Sequence, residues 1–215
     1  MTRRTAAPPL VAIYADESCL GNGREGDNPG GAGGLVEYER PENGEIVRRD
    51  FWVSERATTN NRMALRSVID GFRALSAKRY RLSVVFTSDS RYLVDGMTDW
   101  VFSWVRRGWK KSDGKPVENI ELWRAAIAAV GEHEVHWRWV RGHRGHPQNE
   151  YANHLATLAA AEQTSSDGLA ESHFDEWLAL ERSKNRCTGA PDPFPAAGQF
   201  VPSRTLPDLA AARPS

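Results

Sequence analysis

The chain has 215 residues, 40% hydrophobic and 26% charged, and its 28 basic side chains balance its 28 acidic ones. That composition fits a soluble globular protein with one domain and an extra segment, and it excludes a disordered chain. With a net charge of zero there is no global basic field, so any nucleic-acid binding must come from a local patch. No run approaches the apolar length of a membrane span. Arg3 and Arg4 have no apolar region after them, so a secretory signal is not expected. Cys19 and Cys187 lie far apart without metal-ligand spacing and read as free thiols in a reducing cytosol.

Residues 1–9 form an N-terminal extension. Leu10–Asp16 (LVAIYAD) is a short β-rich run ending in an acid, followed by a loop rich in Gly and Asn from Cys19 to Gly31. Gly34–Tyr38 and Ile46–Val53 read as two further strands around a turn at Glu42–Gly44, which completes an antiparallel meander. Thr59 or Asn60 can cap a helix, and Leu65, Val68, Ile69, Phe72 and Leu75 then recur at helical spacing. Leu82–Thr87 is a fourth strand that ends at Ser88-Asp89-Ser90. Residues 92–130 read as helical with a basic interruption from Gly108 to Pro116. Val135–Val140 is a fifth strand and Asn149–Glu162 a last helix. This order predicts an α/β fold over residues 10–162: a five-stranded mixed sheet, three strands antiparallel and two parallel, with helices on both faces. Residues 163–187 read as a linker and an amphipathic helix from Leu169 to Arg186. Residues 188–215 hold Pro191, Pro193, Pro195, Pro202, Pro207 and Pro214 and are expected to be largely disordered.

Two strands end in Asp, at Asp16 and Asp89. In an open α/β sheet, ligands gather at the carboxyl ends of adjacent strands. Two carboxylates converging there suit a divalent cation such as Mg2+, which prefers hard oxygen ligands. Around them stand, in order, Asp16-Glu17-Ser18-Cys19-Leu20-Gly21-Asn22, Thr58-Thr59-Asn60-Asn61-Arg62-Met63 and Thr87-Ser88-Asp89-Ser90. Trp104-Val105-Arg106-Arg107-Gly108-Trp109-Lys110, Trp137-Arg138-Trp139-Val140-Arg141-Gly142-His143, Gly145-His146-Pro147 and Asn149-Glu150 follow. This series resembles bacterial type 1 ribonuclease H over nearly the whole domain. Only an insertion around Arg24–Asn28 and the segment beyond Glu162 fall outside the resemblance.

The resemblance implies a metal-dependent endonuclease that cuts the RNA strand of RNA–DNA hybrids, with Mg2+ or Mn2+ as cofactor. Asp16 and Asp89 match catalytic carboxylates that hold metal, and His143 matches a loop histidine that assists proton transfer or product release. Asn22, Thr59, Asn60 and Asn61 fall where the family contacts the hybrid in its minor groove, which suits reading of A-form geometry and 2′-hydroxyls. Trp100, Trp104, Arg106, Arg107, Trp109, Lys110, Lys111 and Lys115 match a basic, aromatic protrusion that meets phosphates and sugars.

Two of the family's four carboxylates are missing: Ala64 stands where the family has Glu, and Asn153 where it has Asp. Asn153 keeps one oxygen, so it remains a metal-ligand candidate, whereas Ala64 keeps nothing. Glu17 is the candidate replacement, although strict strand alternation would turn it to the face opposite Asp16. Glu150, one turn before Asn153, is a weaker one. Ala64 and Asn153 are also what a substrate-trapping variant would carry, but Glu17 and the insertion are changes such a variant would not need. Two other readings stay open: a non-catalytic hybrid-binding module, and a related nuclease acting on DNA. A cytoplasmic monomer is expected, with a tail that either docks on the domain or binds a protein partner.

Overall fold

The computed structural model describes residues 8–21, 28–76, 80–142 and 144–209. Asn22, His143 and most of the 24–28 insertion lie outside the described residues. The strands are β1 (Leu10–Cys19), β2 (Gly30–Glu39), β3 (Ile46–Glu55), β4 (Ser83–Ser88), β5 (Glu134–Trp139) and β6 (Ala170–Glu171). The α-helices are α1 (Asn60–Ser76), α2 (Arg91–Asp95), α3 (Val101–Arg106), α4 (Ile120–Val130), α5 (Pro147–Glu162) and α6 (Phe174–Ser183). A π-helical turn, Gly96–Trp100, joins α2 to α3.

The sheet order is β5-β4-β1-β2-β3-β6. The β1–β2–β3 meander is antiparallel, and β4 and β5 add in parallel to the other side of β1. Alternation along β1 divides the core. Val11, Ile13 and Ala15 join the layer that includes α1, α2 and α4, while Ala12 and Tyr14 pack with Tyr151 of α5 and with Phe174 and Leu178 of α6. No described helix is long and apolar enough to cross a membrane.

Three expectations change. The sheet has six strands, not five: Ala170 and Glu171 pair with Asp50 and Arg49 at the outer edge of β3. The helix expected from Leu169 therefore starts only at Phe174. Gly30, Gly31 and Gly33, which lay outside the expected strand, join Gly34 in β2: Thr58 and Met63 fill the side-chain space at Gly30, α5 that at Gly31 and Gly33, and Phe51 that at Gly34. Third, residues 188–209 of the segment expected to be largely disordered lie against the domain. Proline excludes helix and central strand, yet it permits an extended segment along a sheet edge. Here that edge is β5: Ser203 N–H donates to Val135 O (2.8 Å), Trp137 N–H donates to Ser203 Oγ (3.1 Å), and Leu206 and Leu209 pack on the core.

The approach of α5 to the sheet is the tightest constraint on the site. A Cβ at Gly33 would lie 2.6 Å from Ala156 N and 2.8 Å from Ala152 O, both helix backbone. Gly33→Ala is therefore expected to destabilise the fold by about 3 kcal/mol through overpacking. Urea denaturation measures this, and an unchanged midpoint would contradict the packing described.

Candidate active site

The parallel ladder between β1 and β4 ends at Ala15–Ser88, whereas β1 continues against β2 as far as Cys19–Gly30. Past Ala15, one side of β1 therefore has no neighbouring strand, and Asp89 sits just beyond the end of β4. Ligand atoms of Asp16, Glu17 and Asp89 lie within 4.8 Å of one another there. Among the described residues this is the one such acidic or His/Cys group able to hold a metal ion. Strand alternation holds, but Glu17 is not removed by it: at an open strand end, side chains from both faces reach round to the same point. Alternation also gives Glu17 the parity of Ala15, which shares a core layer with the fully buried Ala64.

Each acid is held by its surroundings. Asn149 Nδ2 donates to Asp16 Oδ2 (3.0 Å), and Glu17 N–H donates to Asp16 Oδ1 (2.7 Å). Trp139 Nε1 donates to the Asp89 backbone carbonyl (2.9 Å), and Gly142 passes so close that any side chain there would strike the Asp89 carboxylate. Glu17 Oε2 and Asn149 Oδ1 are shielded from solvent and have no hydrogen-bond partner. Buried, unpartnered oxygens beside three carboxylates are a donor set suited to a hard divalent cation. Asn153 lies half-buried one turn beyond Asn149 on α5, and Glu150 is occupied locally, accepting from Gly145 N–H (3.4 Å).

The ribonuclease H family profile matches residues 8–161. Ribonuclease H of Klebsiella pneumoniae (strain 342) is 42% identical over 157 residues, which cover 73% of this chain and 93% of that protein. The chain belongs to the ribonuclease H family. Ribonuclease H of Escherichia coli O9:H4 (strain HS) matches with the same identity and coverage. Among solved structures, LC9-RNase H1, described as a type 1 RNase H with the type 2 active-site motif, is 61% identical with a TM-score of 0.89. That match covers 98% of this chain and all of the other. LC11-RNase H1, solved in complex with an RNA/DNA hybrid, is 19% identical over 71% of this chain and 98% of its own, with a TM-score of 0.51, a likeness of fold alone.

The family is dependent on divalent metal, and this member has an acidic cluster at Asp16, Glu17 and Asp89. Its expected hybrid-contacting residues fall into two groups. Thr59, Asn60 and Asn61 form the N-terminal turn of α1, where Thr59 and Asn61 are exposed and Asn60 Oδ1 is buried without a partner. Arg106, Arg107, Lys110 and Lys115 are exposed on the segment joining α3 to α4. Trp100 and Trp104 are half-buried in an aromatic group with Tyr92 and Trp123. Trp109 departs from the expectation. The residue is 6% exposed, with Arg124 over its ring at 5.1 Å, and at a φ of 64° it packs into the core. It is a foundation of the protrusion rather than a contact surface. Lys111 is likewise engaged, 2.7 Å from Glu118.

Reading the motifs as a string missed the roles of Asn149, Trp139 and Gly142. The signal for Asn149 was present, since it precedes Asn153 by one helical turn and so shares its face. Nothing local to Trp139 or Gly142 signals contact with Asp89.

The electrostatics follow from crowding. Burial, then the charges of Asp89 and Glu17, push the Asp16 carboxyl well up, and burial and Asp89 push Glu17 up to about 8. A hydrogen bond from Ser90 acts on Glu17 in the opposite sense. Glu17 thus keeps its proton to higher pH folded than unfolded, so the folded state binds more protons between its ordinary value of 4.5 and about 8. Stability of the metal-free protein is therefore expected to fall as pH rises through that window. Thermal melts in chelator should show the decline, and Asp89→Asn should flatten it. A melting temperature that climbs across the window would contradict this.

Proposed function

We propose that this chain hydrolyses the RNA strand of RNA–DNA hybrids at a divalent-metal site formed by Asp16, Glu17 and Asp89, with Asn153 as its uncharged fourth member. The observation that carries this reading is the convergence of Glu17 with the two aspartates, within 4.8 Å, at the open end of β1. Glu17 supplies one of the two charges that Ala64 and Asn153 do not provide, and leaves three carboxylates at the site. The 61% identity to an enzyme described as a type 1 RNase H with the type 2 active-site motif supports a rearranged acidic set. Mg2+ is the cation this oxygen-rich set favours, with Mn2+ able to substitute. When bound, it supplies activation of water and neutralisation of charge at the scissile phosphate.

The remaining work belongs to the chain. Asn149 fixes one oxygen of Asp16 and the Glu17 N–H fixes the other, which orients the carboxylate before substrate arrives. His143 exchanges the proton of the reacting groups. Thr59, Asn60 and Asn61, with Asn22, read the minor groove and its 2′-hydroxyls. Arg106, Arg107, Lys110 and Lys115 grip phosphates, so a chain of zero net charge presents its cations where the hybrid lies. The exposed faces of Trp100 and Trp104 lie against sugars. The chain acts as a monomer, since its own segments occupy part of each outer long strand: β6 beside Arg49 and Asp50 of β3, and Ser203 beside Val135 and Trp137 of β5.

Cleavage of a labelled hybrid tests the reading. The wild type should cut the RNA strand with Mg2+ or Mn2+ and leave duplex DNA and duplex RNA intact, and Asp89→Asn should abolish cleavage. Glu17→Gln should lower kcat by about 100-fold or more, at or beyond the upper range for loss of a partner that only orients a ligand. Full activity in Glu17→Gln refutes the metal-shell assignment. Salt-dependent binding of hybrid by wild type without turnover at any metal concentration would make the chain a binding module. Replacing Arg106 and Lys110 together by Ala should reduce the slope of log affinity against log salt by about 2, one for each phosphate contact.

A further inference from the structure

The segment beyond α6 lies outside the residues matched by the family profile, yet one side chain in it reaches the framework of the catalytic centre. Asp192 Oδ2 accepts from Arg138 Nη2 (2.6 Å) and lies 3.1 Å from His146 Nε2. Arg138 stands near the end of β5, and His146 is the N-cap of α5, so one carboxylate joins the two elements between which the chain runs from strand to helix. The tail is fastened at the same point by backbone. Gln148 Nε2 donates to Asp192 O (2.9 Å), and Asp192 N–H donates to Gln148 Oε1 (3.1 Å). Gly189 adds a further contact, passing so close to Gly145 that a Cβ there would lie 2.9 Å from its carbonyl oxygen.

Both partners of Asp192 lead to the acids. His146 Nδ1 accepts from Asn149 N–H (3.3 Å), and the Asn149 side chain donates to Asp16. Because Nδ1 accepts, the imidazole proton of the neutral ring sits on Nε2, the buried nitrogen 3.1 Å from the Asp192 carboxylate, which is its charged neighbour without being in hydrogen-bond alignment. On the other branch, Arg138 Nε donates to Thr87 Oγ1 (2.9 Å), two residues before Asp89. Asp192 is held below the ordinary carboxylate range: partial burial opposes this, but His146 and Arg138 outweigh it.

We propose that Asp192 is a positioning residue for the catalytic centre. It fixes the His146 tautomer and the start of α5 so that Asn149 presents its amide to Asp16, and it holds Arg138 against the strand that carries Asp89. The segment after α6 is then part of the catalytic apparatus, although no residue in it touches the acids. The proposal rests on the hydrolytic reading above, and it has a readout that does not depend on cleavage.

The test uses the full chain with Asp192→Asn, Asp192→Ala and Asp192→Glu. Gln148 bonds the backbone of Asp192 rather than its side chain, so the tail stays attached in all three. Loss of an orienting partner of this kind predicts a kcat about tenfold lower in Asp192→Ala. KM for the hybrid should stay within about twofold, since no contact with substrate is removed. Asp192→Asn should fall between Asp192→Ala and wild type, and Asp192→Glu should recover most of the rate. Nitrogen-15 NMR of the imidazoles should show His146 as the Nε2–H tautomer in wild type and as a mixture in Asp192→Ala, with a shift of the Asn149 side-chain amide. Unchanged kcat in Asp192→Ala well below its melting temperature overturns the proposal, and so does an unchanged His146 signature. If wild type cleaves nothing, the hydrolytic reading fails, while the His146 and Asn149 resonances still decide whether Asp192 orders the route to Asp16.

Discussion

The close packing of α5 on β2 is the constraint on which the rest of the molecule depends. A helix normally stands about 10 Å from a sheet it covers, because side chains fill the gap. Gly31 and Gly33 remove them, and the backbone of α5 comes into contact with the strand. That approach lets a short side chain, Asn149, reach Asp16 on the neighbouring strand. It also fixes the plane in which α6 packs, through Tyr151, Phe174 and Trp177. With larger residues in β2, α5 would stand off and its polar face would lose the acids.

The second organising fact is where negative charge sits. Ala64 is wholly buried in the core layer of α1, so α1 has no polar atom to offer at this position. Glu17, on the strand of Asp16, puts the charge on the sheet instead. Two acids adjacent in sequence share one rigid strand, and their repulsion is met by burial with raised proton affinity. A cation relieves that repulsion, so metal binding and acid ionisation are linked.

Much of this was legible in the sequence, though unevenly. β1, β4 and β5 announce themselves as apolar runs, and the acids that close the apolar runs of β1 and β4, Asp16 and Asp89, mark the site because parallel strands direct their carboxyl ends to the same place. α1 and α4 show their helical period. What stayed hidden depended on partners distant in the chain. The glycines of β2 look like loop until a helix is known to lie on them. Trp109 reads as a binding aromatic by its basic neighbours, but a left-handed backbone turns it inward. The prolines of the tail describe what that segment cannot form and are silent about the strand edge available to it. Glu17 was legible as a candidate and obscured by alternation, since the pattern does not tell where the adjacent strand stops.

The two edges of the sheet carry a consequence of their own. A bare outer strand offers a row of unpaired amides and carbonyls to any other extended chain, and the five long strands β5-β4-β1-β2-β3 would alone leave two such rows. Here β6 occupies one, beside β3, and the segment around Ser203 occupies the other, beside β5. The prolines in that segment cannot pass a ladder onward, because each lacks the amide hydrogen a further strand would need. The chain's own segments thus lie where a second extended chain would otherwise add, and removing everything after the residues of the family profile would lay both rows bare.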